Sequence, residues 1–149
     1  MESPELVVPF DNKLIPVIQH KHTKSRWEAM YAISLIVPFY PEMIEAILPE
    51  LNEIIEKDQS TIVRDRATEA LAAYASINKD TAKKAFPYLK KVIDVWQDKH
   101  ANRALEGMHN AFLQLPFLKK NIQPIAEIYS ESSKGVVKKA ANKLLKALQ

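Results

Sequence analysis

At 149 residues the chain has room for one domain with a sizeable core, and a composition of 47% hydrophobic and 26% charged residues is that of an ordinary globular protein. Two glycines and no cysteine argue against hairpin-rich architectures, phosphate-cradling loops, disulfide frameworks, thiol nucleophiles and thiolate metal sites. The net charge of +3 hides an asymmetry, with 7 basic and 12 acidic residues in 1–74 against 14 and 6 in 75–149; this reads either as solvated helix faces or as a bipolar surface for a charged partner.

The N-terminus carries Glu2 and Glu5 around Leu6, Val7, Val8 and Pro9, the wrong charge for a secretory signal. Apolar periodicity and breakers predict helices near 11–20, 23–37, 41–57, 60–77, 80–97, 100–115, 118–131 and 134–148. Ser60, Asp80 and Ser133 are the expected N-caps, and turn signals fall at 37–41, 77–80 and 115–117. The longest apolar run, Ala29 to Pro41, is broken by Ser34 and Pro38 and falls short of the roughly 20 residues a membrane span needs. A cytoplasmic protein with no membrane contact is the expectation.

Two series of residues repeat along these helices. Pro16, Pro49, Pro87 and Pro124 recur at spacings of 33, 38 and 37 residues, within the range of helical-repeat proteins, and each is expected to kink the first helix of a pair. Val63, Arg64, Ala67, Ala70 and Leu71 align with His100, Ala101, Ala104, Gly107 and Met108 at a shift of 37, and with Val137, Lys138, Ala141, Leu144 and Leu145 at another 37. Going back by 38 gives Ser25, Arg26, Ala29, Ala32 and Ile33. The column Ala29, Ala67, Ala104, Ala141 is alanine throughout, which lets helix backbones approach closely.

A unit of about 37 residues, with proline in its first helix and an aspartate before Val-Arg and spaced alanine in its second, resembles the HEAT repeat. The second copy, with Pro49, Asp58, Val63, Arg64, Ala67, Ala70 and Leu71, carries the resemblance best. It covers the chain from about residue 11 to the end. The resemblance implies an all-α, right-handed α-α superhelix of about four helix pairs, a single domain over 1–149 with repeats near 11–38, 39–78, 79–116 and 117–149. It also implies second helices lining the concave face, Asp58 and Arg64 as a structural pair linking repeats, and scaffold or adaptor activity towards protein. The third copy departs from the pattern with His100 and Ala101 where Val-Arg would stand, and the fourth has Ser132 near the aspartate position. Armadillo repeats, the nearest alternative, need a third short helix and a longer unit.

No catalytic, cofactor or metal site is expected. His20 and His22 are two apart and make no ligand pair on a helix, and His100 takes a core-facing position. A partner-binding face follows from the register instead. With Val63, Ala67, Ala70 and Tyr74 inward, the opposite stripe is Asp65, Thr68, Glu69 and Ala72. The same register gives Trp27, Met30, Tyr31 and Ser34 in the first copy, Asn102, Leu105, Glu106 and His109 in the third, and Lys139, Asn142, Lys143 and Lys146 in the fourth. The face is therefore expected to run from aromatic, through acidic, to basic. Trp27, Met30 and Tyr31 read as a hot spot, or residues 1–10, with the apolar run 6–10, fold back and cover Trp27 and Tyr31 as an N-terminal cap. Trp96 reads as core or inter-repeat packing.

A protein partner on this face is the primary expectation. The alternative is nucleic acid along Lys83, Lys84, Lys90, Lys91, Lys119, Lys120, Lys138, Lys139, Lys143 and Lys146. Self-association is also expected to be open to a last helix that leaves Val136, Leu144, Leu145 and Leu148 uncovered.

Overall fold

The computed structural model describes residues 11–149. The chain opens with α1 (Asp11–Leu14), which tightens into a 3-10 turn over Ile15–Gln19. There follow α2 (Thr23–Ile36), α3 (Glu42–Ala46), α4 (Leu48–Lys57), α5 (Thr61–Ala75), α6 (Lys79–Trp96), α7 (Ala101–Gln114), α8 (Lys119–Ser130) and α9 (Gly135–Leu148). Among the described residues the only regular elements are helices, and successive helices stack into an all-α solenoid.

Local chemistry explains where the elements start. Ser60 caps α5 as expected, its hydroxyl accepting the Val63 N–H at 3.3 Å. α6 is capped two residues earlier than expected, because Asn78 and Thr81 form a reciprocal capping box that leaves Asp80 inside the helix. Ser133 caps nothing; Lys134 takes that position and its N–H is bound by the Ser132 hydroxyl.

The recurrent prolines act in two ways. Pro49 cannot donate to the Glu45 carbonyl, so the helix expected over 41–57 breaks at Ile47 and restarts with proline in its first turn. Pro16 likewise lies at the start of its 3-10 turn. Pro87 and Pro124 sit inside α6 and α8, which run through them.

The packing forms two layers. The second helices α2, α5, α7 and α9 lie side by side in close contact, whereas the first helices α4, α6 and α8 touch one another lightly. A stack closer on one side curves towards it, so the outer surface of the second-helix layer is concave. Small residues permit the approach. Ala67, Ala104 and Ala141 are fully buried, and a methyl added to Gly107 would lie 2.6 Å from Leu89 Cδ2 and 3.2 Å from Ala72 Cα. Glycine thus lets α7 nest against both α5 and α6.

Polar bonds stitch neighbouring pairs together. The Arg26 guanidinium grips the Asp58 carboxylate with Nε–Oδ2 of 2.9 Å and Nη2–Oδ1 of 3.1 Å, and Asp58 Oδ1 also accepts the Ser60 N–H at 2.8 Å. Asp58 and Arg64 are linked, but through the Asp58 backbone carbonyl; the carboxylate is already held by Arg26. Arg64 instead reaches forward, donating from Nε to His100 Nε2 at 3.2 Å and lying 3.8 Å over the Trp96 ring. Trp96 Nε1 in turn donates to the Ile55 carbonyl, which makes this residue a junction as expected. Ser132 donates to Asp98 at 2.9 Å in the next step. The two departures from the repeat pattern, His100 and Ser132, therefore keep the junction with different chemistry.

The last helix does not leave an apolar end. Leu144 and Leu148 are buried and Leu145 is half-buried, because α9 packs against both α7 and α8. Only Val136 of the expected four stands clear, at 66% exposure, so the terminal patch proposed for self-association is not presented.

Two substitutions test this framework. Gly107→Ala gains about 1 kcal/mol of helix propensity but overfills a closed site, and should lower stability by about 1 kcal/mol net, measured by urea denaturation. Asp58→Ala strips Arg26 of its carboxylate and Ser60 of its acceptor. With both side chains partly solvated it should cost about 2 kcal/mol, and a change within error would show that the junction is not held there.

Candidate functional site

Because α5 and α7 each have a second helix on both flanks, the exposed strip they offer on the concave side is narrow. Thr68, Ala72 and Leu105, expected on that face, are buried by these neighbours, and Ser34 is nearly so. Met30 is fully buried as well, so it is removed from any partner contact. Trp27 is half-buried and packs on the core. Of the aromatic cluster, Tyr31 is left at 36% exposure with the Arg66 guanidinium 4.4 Å over its ring. The expected covering segment, residues 1–10, lies outside the described residues.

The middle of the face holds Asp65, Glu69 and Glu106, but it is not acidic in effect. Arg66 binds Glu69 at 2.6 Å. Arg103 stands between Asp65 at 3.4 Å, Glu69 at 3.8 Å and Glu106 at 3.5 Å. Burial works to raise the Asp65 carboxyl, yet His100 and Arg103 outweigh it and hold it below the usual carboxylate range. Neither arginine was assigned to this face by the register, which placed it too far from the helix flanks. A periodic signal for such links does exist in the sequence: Arg103 and Asp65, Asn110 and the Ala72 carbonyl, and Gln114 and the Ser76 carbonyl are each bonded at a separation of 38 residues.

Beyond this network the α7 and α9 surfaces part to leave a cleft of ≈ 510 Å³, with Glu106, His109 and Asn110 on one wall and Val136, Lys139 and Lys143 on the other. Burial, helped by the nearby Lys143 charge, pushes the His109 imidazole below its ordinary 6.5. Lys146, on the same helix, is exposed. The structure thus brings together Glu106, His109, Lys139 and Lys143 at the cleft, ties Asp65 and Glu69 to Glu106 through Arg103, and sets Tyr31 beside Arg66 away from the cleft.

A second hollow of ≈ 480 Å³ lies beside Ile18, His20, Arg26, Glu53, Lys57 and Asp58. Its charges are taken up in the Arg26–Asp58 junction and a Lys57–Glu53 pair.

No grouping with catalytic geometry emerges among the described residues. His100 and Asp65 approach to 3.5 Å, but His100 is 1% exposed, its Nε2 is occupied by Arg64, and its Nδ1 makes no hydrogen bond of good geometry. The His20 and His22 rings lie 5.1 Å apart with His20 Nδ1 accepting the His22 N–H. Among the described residues no three His, Cys, Asp or Glu side chains could hold a metal ion, and no helix is long and apolar enough to cross a membrane.

The fold places the chain among α-helical repeat solenoids. No protein-family model matches the sequence, and no curated protein sequence does. Solved structures share the fold. One engineered protein superposes with a TM-score of 0.71 at 18% identity, over 99% of this chain and 40% of its own. A designed armadillo repeat protein gives 0.67 at 21%, over 91% and 63%, and another, in complex with the peptide (KR)4, gives 0.66 at 22%, over 91% and 63%. The chain spans less than two thirds of the length of each.

The cleft has a spectroscopic signature. The His109 imidazole should titrate below 6.5 in NMR, and Lys143→Gln should raise its midpoint by removing the nearby charge. An unchanged midpoint would place Lys143 too far away to form the opposite wall.

Proposed function

We propose that the chain is a single domain of four HEAT-type repeats, near 11–38, 39–78, 79–116 and 117–149, that works in the cytoplasm as a non-enzymatic scaffold binding a protein segment along its concave face. The HEAT reading rests on the third pair, in which α6 runs unbroken through Pro87 and a three-residue 3-10 turn, Gln97–Lys99, separates it from α7. The second pair, with its separate α3, leans towards the armadillo pattern.

The binding reading rests chiefly on the cleft between α7 and α9, a concavity on the curved-in layer whose rim side chains are not consumed by packing. Tyr31 extends the same surface towards the other end. A structural neighbour that holds a peptide supports the reading by analogy of fold.

Nucleic acid fits less well. Lys84, Lys90 and Lys91 are held by Glu45 and Asp80, by Asp94, and by Glu56 in the first-helix layer. They are therefore not continuous with the lysines of α9. No Phe, Tyr or Trp side chain lines the cleft to stack a base.

A random peptide display library selected on the intact protein tests the proposal. Selected peptides should lose about tenfold or more in affinity when Tyr31→Ala, His109→Ala and Lys139→Ala are combined. They should be indifferent to Lys90→Ala and Asp94→Ala on α6. The reverse pattern would move the binding surface to the convex layer and overturn the concave-face reading.

A further inference from the structure

We infer that the cleft between α7 and α9 takes an extended acidic protein segment, with carboxylates at alternate residues bound by Lys139 and Lys143 and its intervening side chains against His109 and Asn110. The inference rests on the concave-face reading above and adds the chemistry of the occupant.

Charge balance carries the argument. Every acidic side chain on the concave face, Asp65, Glu69 and Glu106, already has an arginine beside it. α9 is different. Its sequence holds Lys138, Lys139, Lys143 and Lys146 and no acidic residue, and none of these lysines has an acidic partner among the described residues. The uncompensated charge of the concave surface is therefore basic, and it is concentrated on one wall of its cleft. An occupant that neutralises it is acidic on that side and uncharged on the side facing α7, where Arg103 already holds Glu106.

Spacing favours an extended chain. Lys139 and Lys143 are one turn apart on α9, a rise of about 6 Å, while alternate residues of an extended strand are about 6.7 Å apart on one face. Two carboxylates at i and i+2 can thus meet the two ammonium groups together, and the residue between them points into the cleft. On the α7 wall that residue meets the Asn110 amide and the neutral His109 imidazole, a polar contact without a third positive charge, while Val136 lies beside the lysines on α9.

The experiment is fluorescence anisotropy on the full chain with a labelled peptide alternating Glu and Thr. Comparison probes are a peptide of the same composition with its glutamates in one block and a labelled oligo-dT. The alternating peptide should bind more tightly than the blocked one, and Lys139→Glu with Lys143→Glu should weaken it by at least about tenfold. Lys83→Glu with Lys120→Glu makes the same change in net charge on the first-helix layer and should leave binding within about twofold. Circular dichroism checks that both double variants stay helical.

Equal losses in the two double variants would reduce the effect to bulk charge and overturn the proposal. So would oligo-dT binding as tightly with the same sensitivity, which would make the occupant a phosphate backbone, or no binding of either peptide. If library-selected peptides still map to the concave face but are not acidic, the acidic occupant alone falls. If they map elsewhere, the concave-face reading falls first.

Discussion

The close approach of the second helices is the constraint on which the rest depends. α7 reaches α5 and α6 at once because Gly107 offers no side chain where Leu89 and Ala72 stand, and the alanine column keeps the same layer tight elsewhere. Tightness on one side only produces curvature, and curvature makes a face where side chains from successive helices converge. Burial supplies the energy for this arrangement. Each fully buried large aliphatic side chain contributes on the order of 2 kcal/mol relative to exposure, and Ile33, Ile44, Leu51, Leu71 and Leu89 belong to one continuous core.

Junction polar groups then set the register between pairs. Arg26 with Asp58, Arg64 with His100 and Trp96, and Ser132 with Asp98 all join one pair to the next. Their chemistry changes from bidentate ion pair, to a guanidinium shared between an imidazole and an indole, to a hydroxyl on a carboxylate. A solenoid can vary a junction in this way because each interface is local. The cost of ordering it falls on two helices rather than on the whole fold. The buried His100 takes its tautomer from this position: Nε2 accepts from Arg64, so the proton resides on Nδ1, facing Asp65.

Helix positions were legible because apolar period and proline punctuation are local signals, and seven of the expected helices match the observed ones to within a few residues at each end. The break at Ile47 was also written locally, in Pro49, but the same residue is tolerated inside α6 as Pro87; which outcome prevails depends on packing. The inward faces were legible too: Val63, Ala67, Ala70 and Tyr74 are all fully buried. What failed was the assumption that everything opposite the core faces solvent. In a stacked layer a helix is buried on three sides, so Met30, Thr68, Ala72 and Leu105 vanish into lateral contacts that a single-helix projection does not contain. Arg66 and Arg103 were missed for the same reason, since they rise from the flanks and close over the strip between helices.

The same geometry accounts for where the cleft lies. Between α5 and α7, Arg103 ties Asp65 and Glu69 across the helix boundary and Asn110 bonds the Ala72 carbonyl. Exposed pairs of this kind contribute little stability, typically below about 1 kcal/mol each, but they fill the surface groove and cancel its charge. Between α7 and α9 no hydrogen bond or ion pair joins the two exposed faces among the described residues, and their contact is slimmer than that of α2 with α5 or of α5 with α7. The groove there stays open, and the lysines on its α9 wall stay uncancelled. Openness and unbalanced charge thus have one cause, the absence of an acidic residue on α9 to bridge back to α7. Among the described residues, α9 thus lines the opening with lysines that have no acidic partner.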